Sequence, residues 1–461
     1  MKAGRILKDE EENVHRGSHQ EAAGGMDTIE EGMPWEYRGE GNSSLVLVSP
    51  KSRLVLRLRK IRPPKPLGGR PSFSEAASSM RSLVSYVDHV IRPMLPRSEW
   101  IPKMQVIPLP DNTALFFPDT AARDARRMTE QYSFHKEAIL MRDLCFLTSS
   151  MSSEAVTFSV EIKPKEGVLP AGDGVHPARK NMSKYRLKQI MKVQEGIIRT
   201  SNEYDPMDLF SGNHDRMKAA LHTLIAHPQN NFKIFINGVA QFDTRNPGKE
   251  NLDAVMAKLL PADIPDKVDC LLDLVITALK QPELKDAPLN RKTGTSSDLL
   301  DAGSILGALL EAQKTCETDI ELLYPQYQEI YKKLEKEPGL RRKLGIDGPD
   351  YGTAPFWTGE SMEELGVNDK EKSQLLNCRD YLAAATVKDC SVFLTFRSIS
   401  PDENVSSLGL DCSQRIVESK PDLRFYFAGS FVDLDPKPFD RIEKHYVESQ
   451  KLIELVTRQK E

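Results

Sequence analysis

Apolar and polar positions alternate most cleanly between residues 45 and 60. A strand is predicted at 45–48, a turn at Ser49-Pro50-Lys51-Ser52, and a second strand at 53–60. The second strand places Leu54, Leu56 and Leu58 on one face and Val55, Arg57 and Arg59 on the other. This is a hairpin with a core face and a face left for solvent or function. Strands are also predicted at 100–108, 113–117, 155–160, 232–236, 389–396 and 424–433, and Asn237-Gly238 supplies a hairpin turn. Residues 136–147 read as strand or helix. The helical period marks 74–90 with Ser74 as N-cap, then 180–199, 215–227, 264–279, 371–387 and 438–457, with one or two long helices in 299–336. Between these lie a Pro/Gly/basic loop at 63–71, loop-like residues at 243–251, a polar and mobile insertion near 281–298, and an irregular stretch at 339–366. The mixture is α+β.

Composition narrows the field. The chain has 461 residues, room for roughly two to four domains, and a net charge of −4, which argues against a generally basic nucleic-acid binder. Any anion site must therefore be built by local clustering. The six cysteines show no CxxC pair and no zinc spacing with histidine, as expected for free thiols in a reducing compartment. No apolar run approaches the ~18 residues of a membrane span. Residues 1–30 are polar and mixed in charge, and read as a disordered tail without a signal peptide.

Candidate chemistry begins where the strand at 155–160 runs into Glu161-Ile162-Lys163-Pro164-Lys165. If the extension continues, Glu161, Lys163 and Lys165 share a face, and Pro164 ends the sheet. Two ammonium groups aimed into a cleft need an anion between them, or a carboxylate such as Glu161 beside them. A solvated edge is the plainer alternative. Gly39-Glu40-Gly41 precedes two strands and resembles a phosphate-covering turn, although Ser44 stands where a third glycine would fall, and an ordinary hairpin turn is the plainer explanation of the segment alone. Asp389 opens a buried-type strand. Asp433 and Asp435 close another, with Pro438 placed for a helix's first turn and Lys437, Arg441 and His445 spaced for one helical stripe. A solvated helix face is the competing explanation. Asn230-Asn231 could donate to phosphates or simply form a turn. The histidines do not cluster, and the HRD, DFG and APE motifs of protein kinases are absent.

Taken together, Tyr37-Arg38-Gly39-Glu40-Gly41-Asn42, Glu161-Ile162-Lys163-Pro164-Lys165, Asp208-Leu209-Phe210-Ser211-Gly212, Gln229-Asn230-Asn231-Phe232, Ala384-Ala385-Thr386-Val387-Lys388-Asp389-Cys390-Ser391 and Asp433-Leu434-Asp435-Pro436-Lys437-Pro438 resemble the inositol-pentakisphosphate 2-kinases, in that family's order. The resemblance implies a two-lobed inositol polyphosphate kinase fold. Its smaller N-lobe, 31–144, carries an antiparallel sheet, and its larger α/β C-lobe spans 145–461. It implies transfer of the ATP γ-phosphate to the 2-hydroxyl of inositol 1,3,4,5,6-pentakisphosphate. Gly41, Asn42, Ser43, Ser44 and Arg57 would serve the ATP phosphates, and Arg142, Asp143 and Leu144 the adenine. Glu161 and Lys163 would also serve the nucleotide, with Lys163 between both ligands. Lys165, Lys192, Asn230, Asn231, Lys437, Arg441 and His445 would hold inositol phosphates, with Arg126 bridging the lobes. Asp389 would orient or deprotonate the 2-hydroxyl, and Asp433 with Asp389 would hold magnesium. The sequence departs from a plant relative at His445, where a tyrosine faces the substrate, and in lacking the plant-type zinc ligands, so no zinc is expected. The implied protein is a monomer of the cytoplasm or nucleus, without nucleic-acid or membrane partners. A binding scaffold without turnover, or a kinase for another inositol phosphate, remain the alternatives.

Overall fold

The computed structural model describes residues 34–61, 79–109, 127, 132–147, 155–281, 299–316, 318–346, 348, 350–400, 402–403, 414–420 and 423–458. The tail at 1–30, the loop at 63–71, Ser74, the strand expected at 113–117, Arg126 and the insertion at 282–298 lie outside them.

Two antiparallel sheets organise the described chain. The first contains β1 (Glu36–Glu40), β2 (Ser44–Ser49), β3 (Leu54–Ile61), β4 (Gln105–Pro108) and β5 (Ser133–Arg142), in the order β1-β2-β3-β5-β4. The second contains β6 (Thr157–Ile162), β7 (Phe232–Ile236), β8 (Val239–Phe242), β9 (Ser391–Ser398), β10 (Gln414–Lys420) and β11 (Leu423–Val432), in the order β10-β11-β9-β6-β7-β8. The fold is therefore α+β. The alternation in β3 holds: Leu56 and Leu58 are buried, while Arg57 and Arg59 face the other way. The ambiguous segment at 136–147 is a strand over most of its length.

The second sheet has one apolar and one polar face, and the difference positions the site. Phe158, Val160 and Ile162 of β6 join Val392, Leu394 and Phe396 of β9 in the main core, with Phe158 stacked on Phe396. The helices Lys267–Lys280 and Ile305–Lys314 cover this side, and Gly429 lets Ile305 approach β11, since a Cβ there would lie 2.7 Å from its side chain. On the opposite face Thr157, Ser159 and Thr395 are buried polar groups, and they are satisfied. Ser159 pairs with Thr395 at 2.8 Å, Thr395 donates to the Leu144 carbonyl at 2.5 Å, and Thr157 donates to the Cys145 carbonyl at 2.8 Å. Segment 143–147, leaving the first sheet, is thus stitched to the polar face of the second.

Several boundaries differ from expectation for identifiable reasons. The helix Met80–Tyr86 is capped by Ser79, whose hydroxyl accepts from Ser82 N at 3.1 Å. Residues 249–256 form a helix rather than a loop, and short helices Pro338–Lys343 and Pro355–Thr358 interrupt the supposedly irregular stretch, each started by a proline that needs no partner for its nitrogen. Residues 299–336 resolve into two helices, Ile305–Lys314 and Ile320–Lys336, each with its own cap, Ser304 and Asp319. The last helix, Arg441–Arg458, begins three residues beyond Pro438, so Lys437 precedes the helix instead of sharing a stripe with Arg441 and His445. No described helix is long and apolar enough to cross a membrane.

Candidate active site

The segment after β6 turns where the pattern suggested extension. Lys163 N still donates to the Asn231 carbonyl at 2.9 Å, but Lys165 adopts a left-handed backbone, φ +64°, outside the range that L-residues favour. The turn is pinned by Tyr204, whose hydroxyl donates to the Pro164 carbonyl at 2.7 Å. Gln313 also holds it, donating to the Lys165 carbonyl at 2.9 Å and accepting from Gly167 N at 2.8 Å. Asp433, just after β11, is also left-handed at φ +64°. Such conformations cost on the order of 1 kcal/mol each and persist where the surroundings over-determine them.

The result is a chain of opposite charges. Lys163 Nζ lies 2.6 Å from Asp433, while Lys165 Nζ at 3.2 Å and Lys437 Nζ at 3.1 Å take the two oxygens of Asp389. Of the two ways considered to neutralise these lysines, an anion or Glu161 beside them, the direct pairs are with Asp433 and Asp389; Glu161 accepts from Lys233 of β7 at 2.8 Å and from Ser391 of β9 at 2.9 Å, and reaches Lys163 only through its field. Asp389 follows the C-terminal end of the helix Asp369–Val387, where the carbonyl ends disfavour a negative charge. Partial desolvation would also push its carboxyl up, but Lys165, Lys437 and Lys163 outweigh both effects and hold it well below the usual carboxylate range. Asp433 is likewise lowered: Lys163 and then Arg57 overcome the penalty of burial. Lys165 goes the other way. Burial, with Lys163 and Lys188 adding repulsion, depresses its pKa despite Asp389.

Of these residues, Lys165, Asp389 and Lys437 open onto a cavity of about 930 Å³. Nine cationic side chains line it, Lys165, Arg179, Lys184, Lys188, Lys192, Lys314, Lys388, Lys437 and Arg441, against the four carboxylates Glu166, Asp319, Asp389 and Glu448. Of the expected substrate residues, Lys165, Lys192, Asn230, Asn231, Lys437, Arg441 and His445 all reach this wall. Asn231 is only 1% exposed, and its amide nitrogen donates to the Tyr185 hydroxyl at 3.1 Å, so its donor supports the wall. His445 pairs with Tyr381 at 3.1 Å and is kept neutral, its pKa pushed down to about 2 by burial and by Lys184, Lys188, Arg441 and Lys437. Lys184 and Lys188 were not singled out from sequence. The signal was available: with Lys192 they recur at every fourth position of the helix Lys184–Gln194.

Apart from Glu161, Lys163 and Asp433, which lie on or beside β6 and β11, the residues expected to serve a nucleotide occupy the first sheet and its exit. Gly41, Asn42 and Ser43 form the turn between β1 and β2, closed by Gly41 N donating to the Ser44 carbonyl at 2.8 Å. Lys60 Nζ donates to the Gly41 carbonyl at 2.9 Å. Arg127 reaches the same carbonyl at 3.0 Å and the Asn42 side chain at 3.2 Å. Arg57 donates through Nε to the Ser44 hydroxyl at 3.2 Å and, through both terminal nitrogens, to Asp435 at 2.7 and 2.5 Å. Asp435 joins the site although sequence gave it no role. Arg142 is exposed at the end of β5. Asp143 is buried and accepts from Arg38 at 2.7 Å, leaving backbone as what 143–144 can offer a ligand. A carboxylate pair beside a cation-lined cavity, and a glycine turn beside an arginine, can hold a nucleotide and a polyanion and little that is neutral.

The family model described as inositol-pentakisphosphate 2-kinase matches residues 37–451. An inositol-pentakisphosphate 2-kinase of Danio rerio is 27% identical over 473 aligned positions, covering 92% of this chain and 93% of the relative. One from Arabidopsis thaliana is 25% identical, with 92% and 93% covered. One from Oryza sativa subsp. indica is 30% identical over 308 positions, 65% of this chain and 60% of the relative.

Proposed function

The chain belongs to the inositol-pentakisphosphate 2-kinase family, and from that premise we propose that it transfers the γ-phosphoryl group of ATP to the 2-hydroxyl of inositol 1,3,4,5,6-pentakisphosphate, giving the hexakisphosphate. The observation that carries the reading is the cavity with nine cationic and four anionic side chains, with Asp389 on its wall between Lys165 and Lys437. Five phosphates bring roughly eight to ten negative charges. Charge-assisted hydrogen bonds from converging lysines and arginines are the interaction such a ligand requires.

In this reading the first sheet, within 31–144, is the smaller of two lobes, and 145–461 forms the larger. The turn at Gly41–Ser44 covers the ATP phosphates, and segment 142–144 meets the adenine through its backbone. Lys163 stands between the two ligands. Lys165, Lys192, Lys437 and Arg441 hold the inositol phosphates. Asp389 accepts a hydrogen bond from the attacking hydroxyl and aligns it. Its depressed pKa makes it a weak base, which suits phosphoryl transfer, where the proton leaves late and positioning with charge neutralisation does most of the work. Asp433 and Asp389 also fit magnesium, a hard cation commonly held by one or two carboxylates plus substrate phosphates, and no larger cluster of metal ligands is needed or found among the described residues. The ion would neutralise charge on the transferring phosphoryl group. Lys163 must release Asp433 for that carboxylate to take it. The protein is read as a monomer in the cytoplasm or nucleus, without nucleic-acid or membrane partners.

The direct test is incubation with magnesium, ATP and inositol pentakisphosphate, with separation of the products by charge. Hexakisphosphate is expected, and ATP hydrolysis without it would sink the reading. A scaffold that binds without turnover is disfavoured because both Asp389 and Asp433 are present.

Acceptor affinity should depend on alkaline pH. Lys165 and Lys192 have depressed pKa values, from burial first and then from repulsion by neighbouring lysines, Lys163 and Lys188 for Lys165 and Lys188 for Lys192. Bound phosphate raises them, so binding takes up protons. Above the phosphates' own titration near pH ~6, affinity is expected to fall as pH rises through the depressed lysine values. Calorimetry in two buffers of different ionisation enthalpy reads the uptake, and a pH-independent affinity up to the ordinary lysine range would contradict it.

A further inference from the structure

Of the cavity's carboxylates that do not serve the reaction as read, Glu166 pairs with Lys388 at 2.8 Å and Asp319 with Arg179 at 2.5 Å, while Glu448 sits in the lysine stripe. Glu448 lies on the cavity wall, on the helix Arg441–Arg458, which packs against the helix Lys184–Gln194. Its two oxygens take Lys188 at 2.8 Å and Lys184 at 3.5 Å. It therefore pairs with two of the three lysines on that stripe, whereas Lys192 has no carboxylate at ion-pair distance among the described residues. A negative charge inside a phosphate site lowers affinity for an anionic ligand.

Resting on the function proposed above, we infer that Glu448 is a specificity-determining residue. It occupies Lys184 and Lys188, closes that wall to phosphate, and directs the acceptor's phosphates to the side formed by Lys165, Lys192, Lys437 and Arg441. Selectivity arises here from a placed repulsion as much as from attraction. The arrangement fixes how the ring sits, and with it which hydroxyl faces Asp389. It also limits the hold on the more highly charged product, whose release the reaction needs. Two features agree with it. Glu448 is ionised, since Lys184 and Lys188 overcome the burial that would raise its pKa. His445 is kept neutral by burial and by the same lysines and Arg441, so it adds no cation to that wall.

The test is binding of inositol pentakisphosphate to the full chain without nucleotide, by calorimetry. Glu448→Gln is expected to tighten binding by about tenfold, and binding of the hexakisphosphate by more, since each new phosphate contact at Lys184 or Lys188 is charge-assisted. ATP affinity should not move. Lys188→Ala uncovers the carboxylate and is expected to weaken binding by about tenfold. The double variant Lys188→Ala/Glu448→Gln should return to within about threefold of the parent. Unchanged or weaker binding by Glu448→Gln, with or without a lower melting temperature, overturns the inference. If Glu448→Gln does not fold, Glu448→Ala is read in its place, alone and together with Lys188→Ala. A double variant as weak as Lys188→Ala makes Lys188 a direct phosphate ligand and overturns the role of Glu448. A parent that binds no inositol pentakisphosphate overturns the functional reading and this inference with it, whereas tight parental binding with a null Glu448→Gln overturns this inference alone.

Discussion

Replacing Asp389 by asparagine is expected to lower the rate of phosphoryl transfer by about three orders of magnitude, within the span seen when a positioned acid or base is removed. Binding of the acceptor should hold or improve. In the parent, Asp389 lies between the ammonium groups of Lys165 and Lys437, at 3.2 and 3.1 Å. Removing its charge leaves both cations facing the cavity, and bound phosphate then meets less competition. The amide keeps the shape but offers one acceptor atom in place of two, and it cannot take the hydroxyl proton at any stage. Nucleotide affinity, which the proposed reading assigns mainly to groups on the first sheet, should change little. Single-turnover transfer, measured beside separate binding of ATP and of inositol pentakisphosphate, distinguishes these effects. A rate within about tenfold of the parent would remove Asp389 from the chemistry. The parental pH–rate profile should show no loss near the ordinary carboxylate range attributable to Asp389, because its surrounding lysines keep it ionised to well below that range.

What sequence could and could not reveal follows the reach of each interaction. The alternation of Leu54, Leu56 and Leu58 with Arg57 and Arg59 is local, and β3 keeps it. The pairing of Lys163 with Asp433 and of Lys165 with Asp389 brings together residues more than 200 positions apart; the motifs marked each member, but only the fold joins them. That Glu161 pairs with Lys233 could not be read from sequence, because it depends on the register of β6 against β7. Lys184 and Lys188 were passed over for a physical reason as well. A lysine stripe on a helix is usually a solvated face, and only the cavity on that side shows otherwise. Pro438 suggested a helix start, yet the chain runs on to Arg441, and that delay leaves Lys437 free to reach Asp389. Asp435 was visible as a residue, but its role required knowing that β3 lies opposite the end of β11.

The Arg57–Asp435 pair supplies the second large effect, because it is asked to serve both stability and nucleotide binding. Arg57 lies on the first sheet and Asp435 just beyond the second. They meet through two hydrogen bonds, with Arg59 at 4.0 Å, and the side chains are 17% and 24% exposed. Asp435 is further fixed through its carbonyl, which accepts from Thr386 at 3.3 Å. Arg57→Met strands Asp435 beside Asp433, and is expected to cost about 2 kcal/mol, between the values for exposed and for fully buried pairs, with a melting temperature lowered by a few degrees. ATP affinity should fall as well, since the cation beside the glycine turn is lost. Asp435→Asn also destabilises, but it frees Arg57 for phosphate, so ATP affinity is expected to hold or rise. The opposite signs separate the two roles. The double variant Arg57→Met/Asp435→Leu removes both charges together and should recover most of the lost stability, as replacing an entire ion pair by packed apolar groups commonly does. It should not recover ATP affinity. Thermal unfolding and nucleotide titration of the three variants give the answer, and equal losses of ATP affinity in Arg57→Met and Asp435→Asn would show that the pair acts only as a clasp between the sheets and that Arg57 never turns to the nucleotide.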